Sequence, residues 1–165
     1  MALDYYIVKN SSKEVVVQVN GANDSLGIQL NTLASADQVL GASGASDYMP
    51  PAVNLASVIS SGNINSSVVI NRGATGATGH LVFAGSPENS PTIQFNQYGF
   101  TPKAHSTNAI EVIHGGATGA SVTTWLVLHK QEGFYSKVEY EKYGGYDDET
   151  KVGALDTSGS PDYTG

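Results

Sequence analysis

The chain contains no cysteine. That absence excludes disulfides, thiolate zinc sites, iron–sulfur clusters and cysteine nucleophiles together. Charge is also scarce: Asp, Glu, Lys and Arg make up 14% of the 165 residues, against about a quarter in an average domain. Long solvent-facing helices draw on Glu, Lys and Arg, so few are expected. Basic residues are scarcest, with 8 Lys and Arg against 15 Asp and Glu and a formal net charge of −7. Binding to nucleic acid needs clustered Lys and Arg to neutralise phosphates, and a peripheral membrane protein needs a basic face. Neither partner is expected. No apolar run approaches the roughly 20 residues of a membrane-spanning helix. The opening Met1–Tyr6 has no basic stretch followed by an apolar one, so no secretory signal is expected.

What the chain does have is small and polar. Gly, Ser, Thr and Asn account for 60 of the 165 residues, and they separate short runs rich in Val and Ile. This pattern predicts many short strands joined by turns, in a single domain. Residues 1–50 read as strands and a loop that pack on the main body or on a neighbour. Glu14–Val19 is a strand closed by the Asn20-Gly21 turn signal. Leu26–Leu30 is a weaker strand, and Ser35–Leu40 reads as one or two helical turns capped by Ser35.

Residues 51–130 carry the clearest period-2 alternation. Val53, Leu55, Ser57 and Ile59 share one strand face, and Ile64, Ser66, Val68 and Ile70 share another. Val122, Thr124, Leu126 and Leu128 alternate with Thr123, Trp125, Val127 and His129. Such runs between Gly, Asn and Pro clusters predict half-buried antiparallel strands. The fold class expected is all-β, an antiparallel β-sandwich with a jelly-roll-like arrangement and extended N- and C-terminal arms. The expected core includes Val17, Leu55, Ile70, Leu81, Phe83, Ile113, Leu126 and Leu128. Val69–Ala77 repeats as Val112–Ala120 with seven of nine positions identical. Each copy reads as a hairpin with glycine supplying positive φ, and either a duplicated half-sandwich or convergence on one turn sequence accounts for the pair.

Residues 131–165 form an acidic, Tyr-rich arm. Large apolar side chains are too few for a core of its own. Tyrosine combines contact area, a polar tip and low rotamer entropy, which suits interfaces. The candidate interface residues are Phe134, Tyr135, Lys137, Tyr140, Tyr143 and Tyr146.

Candidate chemistry is thin. His80, His105, His114 and His129 are scattered, and no serine sits in a Gly-x-Ser-x-Gly elbow. No two histidines stand three or four apart, so they read as turn-edge and strand-surface residues. Asp147-Asp148-Glu149 reads as a solvated acidic run rather than a calcium site. The glycines at 73, 76 and 79 lack the Lys-Ser/Thr of a phosphate loop, and Glu88 with Glu111 is weak support for a glycosidase pair. Trp125, the only tryptophan, reads as core rather than as a sugar-stacking platform. No catalytic residue, metal or cofactor is expected.

Trp125-Leu126-Val127-Leu128-His129-Lys130 followed by Gly133-Phe134-Tyr135-Ser136-Lys137 and then Tyr143-Gly144-Gly145-Tyr146 resembles the C-terminal signature of a family of small virion structural proteins from marine tailed phages. Val68–Gly73 and Leu81–Gly85 resemble the same family's central hairpin. The resemblance covers about residues 53–152. It implies a non-enzymatic β-sandwich on the outside of the phage capsid, a decoration or cement protein made in the host cytoplasm. The implied partners are the major capsid protein lattice and other copies of itself, trimers at local symmetry axes among them. The alternatives are a tail, neck or fibre component of the virion and a carbohydrate-binding β-sandwich module.

Overall fold

The computed structural model describes residues 2–41, 44, 49–63, 65–73, 80–87, 92–95, 107–116 and 121–137. The strands in chain order are β1 (Asp4–Asn10), β2 (Glu14–Gly21), β3 (Asp24–Ile28), β4 (Gln38–Leu40), β5 (Val53–Gly62), β6 (Ser67–Arg72), β7 (His80–Gly85), β8 (Thr92–Gln94), β9 (Ile110–Gly115), β10 (Val122–Lys130) and β11 (Phe134–Ser136). The helical element among the described residues is a single 3-10 turn, Leu30–Thr32. All the strand pairings are antiparallel.

The strands form a five-stranded sheet ordered β1-β2-β10-β5-β8, a four-stranded sheet ordered β3-β9-β6-β7, and a small β4–β11 pair. Setting aside β1 and the small pair, the pairing is nested. The first strand lies beside the last (β2·β10), the second beside the next to last (β3·β9), then β5·β8, then β6·β7. This nesting is the strand order of a jelly roll with its sheets left open. The N-terminal fifty residues contribute three strands to the two large sheets.

Both large sheets bury one face in the same hydrophobic cluster. Val15, Val17 and Val19 of β2, Val122, Leu126 and Leu128 of β10, and Val53, Leu55 and Val58 of β5 meet Val68 and Ile70 of β6, Ile110 and Val112 of β9, and Ile28 of β3. The alternation of β10 is strict, because every second residue from Val122 to Lys130 is buried. Such a row places its side chains on one side of the pleat, where burial of apolar surface is the main favourable term.

Several expectations are corrected by one-residue irregularities. In β5, Ser57 pairs with Val127 and Leu55 with Leu128, so Ala56 is an extra residue, a β-bulge. The bulge flips the face. Val58 joins Val53 and Leu55 in the core while Ile59 points out, so Ile59 does not share their side. In β7, Phe83 pairs with Ile70 and Leu81 with Asn71, which makes Val82 the bulged residue. Phe83 therefore packs against the core, but the expected core residue Leu81 lies on the outside, 59% exposed. Ile113 is also outside the core, because β9 turns Ile110, Val112 and His114 inward. Ile64 lies outside the described residues.

Two turn expectations also change. Residues 35–40 form no helix: the Gln38 amide donates to the Ser35 carbonyl at 3.0 Å, and Gln38–Leu40 is drawn into pairing with β11. The two repeat copies differ in their connections. β6 leads through Gly73, at φ +91°, to β7, which pairs with it as a hairpin. β9 instead leads to β10, which belongs to the other sheet, so the second copy is not a hairpin. The intervening residues 74–79 and 117–120 lie outside the described residues.

Candidate interaction surface

The nucleophile, metal and carboxylate candidates weighed and set aside in the sequence do not come together where they are described. His114 and His129 lie on β9 and β10, strands of different sheets, and point to different neighbours. His80 is exposed at the start of β7. Glu111 accepts a hydrogen bond from Asn71 Nδ2 at 3.1 Å. Among the described residues, no group of three or more His, Asp or Glu side chains is placed to hold a metal ion. No helix among them is long and apolar enough to cross a membrane. His105, Glu88, Gly76, Gly79 and Asp147–Glu149 lie outside the described residues.

The polar residues that are buried act between elements. His114, expected at a surface, is fully buried. Its Nδ1 lies 2.8 Å from the Gly21 carbonyl and its Nε2 lies 2.8 Å from Thr124 Oγ1. A carbonyl can only accept, so Nδ1 carries a proton and donates; in the neutral ring that burial favours, Nε2 accepts from the threonine hydroxyl. The ring is neutral and ties β9 to β2 and β10 of the opposite sheet. Burial lowers its pKa below the usual 6.5, against a smaller opposing effect of the Gly21 carbonyl.

Arg72 and Lys130 anchor the opposite end. The Arg72 guanidinium donates to the Val53 carbonyl at 2.9 Å and to the Asn108 carbonyl at 2.7 Å, joining β6 to the start of β5. Burial brings its pKa down to about 10, so it stays charged. Lys130 Nζ donates to Asn10 Oδ1 at 2.6 Å, the Ser11 carbonyl at 2.7 Å and Gln38 Oε1 at 2.6 Å, and lies 5.1 Å from the centre of the Phe134 ring. Its pKa is pulled down to about 8 by burial. All three ammonium protons are thus used to hold the β1–β2 turn and β4 against β10. Pattern reading missed these three side chains, since it assigns polar residues outward and their partners are mostly backbone carbonyls set by the tertiary fold.

The expected interface residues divide. Phe134 packs against the core and Tyr135 is half-buried on β11, opposite Val39 of β4. The Lys137 amide donates to the Asp37 carbonyl at 2.8 Å, so this part of the segment folds back on its own chain. Gly133 precedes it at φ +84°, where an added Cβ would stand 2.5 Å from Pro51 Cα. Only glycine fits that turn. Tyr140, Tyr143 and Tyr146 lie outside the described residues.

A different surface is the outer face of the five-stranded sheet. Trp125, expected in the core, is on this face instead, half-buried. Leu126 and Leu128 take the inward positions of β10, which leaves Trp125 and Val127 outside. One row across the sheet runs Tyr6, Gln18, Trp125, Ile59 in direct register. The next row brings Val16 beside Val127. Tyr6 and Ile59 are exposed, and so are Ile7 and Val8 of the outermost strand. One end of this band is polar: Asn20, opposite Asp4 of β1, accepts at Oδ1 from Gln18 Nε2 at 3.1 Å and from Thr123 Oγ1 at 2.9 Å. The other end is charged, with Glu14 2.7 Å from Lys9 and 3.4 Å from His129. The hydrogen bond from Lys9 is the main reason the Glu14 pKa is lowered. An apolar band with polar ends suits contact with another surface.

No protein-family model matches this sequence, and no curated protein matches it.

Proposed function

We propose that the protein is a non-enzymatic structural component of a phage particle, a decoration protein that binds the outer surface of the capsid and stabilises it. The observation that carries the non-catalytic part is the band of Tyr6, Trp125, Ile59 and Val127 across the outer sheet face, which an isolated monomer has no need to display. The capsid part rests on the resemblance of Trp125–Lys130 and Gly133–Lys137 to small virion proteins of marine tailed phages. The resembling residues have structural duties in this fold. Lys130 joins three elements and Gly133 fits beneath Pro51. Self-association into oligomers belongs to the same reading, and so does a sheet face available to a lattice. The test is to mix purified protein with empty expanded phage capsids, pellet them and image the particles by cryo-electron microscopy. Regular density at lattice symmetry axes supports decoration. Bare shells with the protein left in the supernatant refute it, and move the role to a tail, neck or fibre.

The position of Trp125 favours a second reading, a carbohydrate-binding module. A partly exposed indole on the outer sheet face, with Tyr6 two strands away and the Gln18–Asn20–Thr123 cluster beside it, offers stacking area and hydrogen-bonding groups together. Trp125→Ala should then abolish glycan-array binding while leaving the circular dichroism spectrum and unfolding midpoint near wild type. An array on which the wild-type protein binds nothing removes this reading.

A further inference from the structure

β1 is the outermost strand of the five-stranded sheet, and among the described residues only β2 pairs with it. It is seven residues long, and three consecutive large apolar side chains, Tyr6, Ile7 and Val8, are 56%, 39% and 57% exposed. A long apolar edge strand is a template for another strand, and soluble proteins usually blunt it with prolines, several charges or a cover. Here the described protection is one bulge at Val8 and one charge near each end, Asp4 and Lys9. We propose that this edge is the self-association surface, on which β1 of a second copy pairs antiparallel about a two-fold axis through Tyr6.

The register follows from the pleat and the charges. Tyr6 pairs with Gln18 and so shares the outer face with Trp125, whereas Ile7 pairs with the buried Val17 and Tyr5 packs against the core. Opposed residues in an antiparallel pair lie on the same side of the sheet. Pairing Tyr6 with the second copy's Tyr6 satisfies this, because Tyr5 then meets the other copy's Ile7 on the inner side. A shift of one residue would put Tyr6 against Ile7 and break the match. In this register Asp4 of each copy lies across from Val8 and next to Lys9 of the other. The strand's one acidic and one basic residue therefore complement each other twice. The bulge helps, because it returns Lys9, which pairs with Val16, to the face that Asp4 occupies. Joining the edges makes the two outer sheet faces continuous and sets the exposed apolar side chains of one copy beside those of the other. The inference names the surface for the self-association in the proposed function. It is tested on purified protein alone, so its failure and that of capsid docking are read separately.

The absence of cysteine from the chain makes the test clean. Tyr6→Cys places two thiols directly opposite each other across the axis, about 5 Å apart at Cβ. Mild oxidation should convert most of that variant to a covalent dimer, while Leu81→Cys, an exposed position on the edge strand of the other sheet, should stay largely monomeric on a denaturing gel. Independently, wild-type protein should sediment as a dimer at micromolar concentration. Val8→Lys, which adds charge to the exposed edge without touching the core, should sediment as a monomer with an unchanged circular dichroism spectrum. A monomeric wild type, or a Tyr6→Cys yield no greater than that of Leu81→Cys, overturns the proposal. A larger oligomer in which Tyr6→Cys does not cross-link overturns it equally.

Discussion

Replacing His114 with glutamine should change how the protein responds to acid more than how stable it is at neutral pH. The wild-type imidazole is fully buried, neutral, and saturated by the Gly21 carbonyl and the Thr124 hydroxyl. Its pKa is lowered chiefly by burial. Above the unfolded value near 6.5, both folded and unfolded states hold the ring neutral, and its contribution to stability is complete. As pH falls through 6.5 the unfolded chain takes up a proton that the folded protein refuses, so stability is lost with falling pH. One proton taken up by the unfolded state alone costs about 1.4 kcal/mol per pH unit, which reaches at most about 2 kcal/mol by pH 5. Glutamine offers an amide donor group and a carbonyl acceptor but does not titrate. The assay is urea unfolding of both proteins from pH 7.5 to pH 5, with the wild-type-minus-variant difference plotted against pH. The carboxylates and the other histidines are common to both and cancel. The difference should be flat above pH 7 and fall against the wild type below 6.5. A difference that stays constant down to pH 5 would refute the neutral, buried assignment of the ring.

Three other outcomes follow from the packing and the anchors. Leu126→Ala removes a fully buried side chain from the middle of the core and should cost about 2–5 kcal/mol by denaturant titration, whereas a cost below about 1 kcal/mol would place Leu126 on the wrong face. Gly133→Ala meets both a positive φ and the Pro51 backbone, and should lower stability by about 1–3 kcal/mol with a matching drop in melting temperature. Lys130→Met keeps the stem but removes the ammonium donor from Asn10 Oδ1 and the Ser11 carbonyl and leaves Gln38 Oε1 with the Ser35 amide alone, and should cost about 1–3 kcal/mol in a way that added salt does not rescue. An unchanged urea midpoint for that variant would mean the lysine holds nothing together.

The all-β class and the strongest strands were legible because Val122–Lys130 and Ser66–Ile70 alternate without interruption, and a period of two has one structural meaning. The misassigned faces of β5 and β7 trace to bulges at Ala56 and Val82. A bulge shifts the phase by one residue and leaves no mark in composition. Trp125 was ambiguous for another reason: both faces of β10 are apolar, so alternation alone does not say which is inside. His114 displaced Ile113 from the core because its two ring nitrogens find partners there, and those partners lie 93 and 10 residues away in the chain. Information of that kind exists only once the sheets are stacked. The apolar edge of β1 escapes pattern reading because its pairing with β2 alone among the described residues is a property of topology, not of the strand's own residues.

The place of β10 also governs when this protein can come into being on the ribosome. β10 lies between β2 and β5, and its partners on β2 are more than a hundred residues earlier in the chain. Until residues 122–130 leave the exit tunnel, the nascent chain holds β2 and β5 with bare inner edges and no strand to join them. Contacts of such long sequence separation make folding slow. Completion of this sheet therefore waits for β10, and a ribosome stalled before residue 122 releases β2 and β5 with unpaired edges for chaperones to shield.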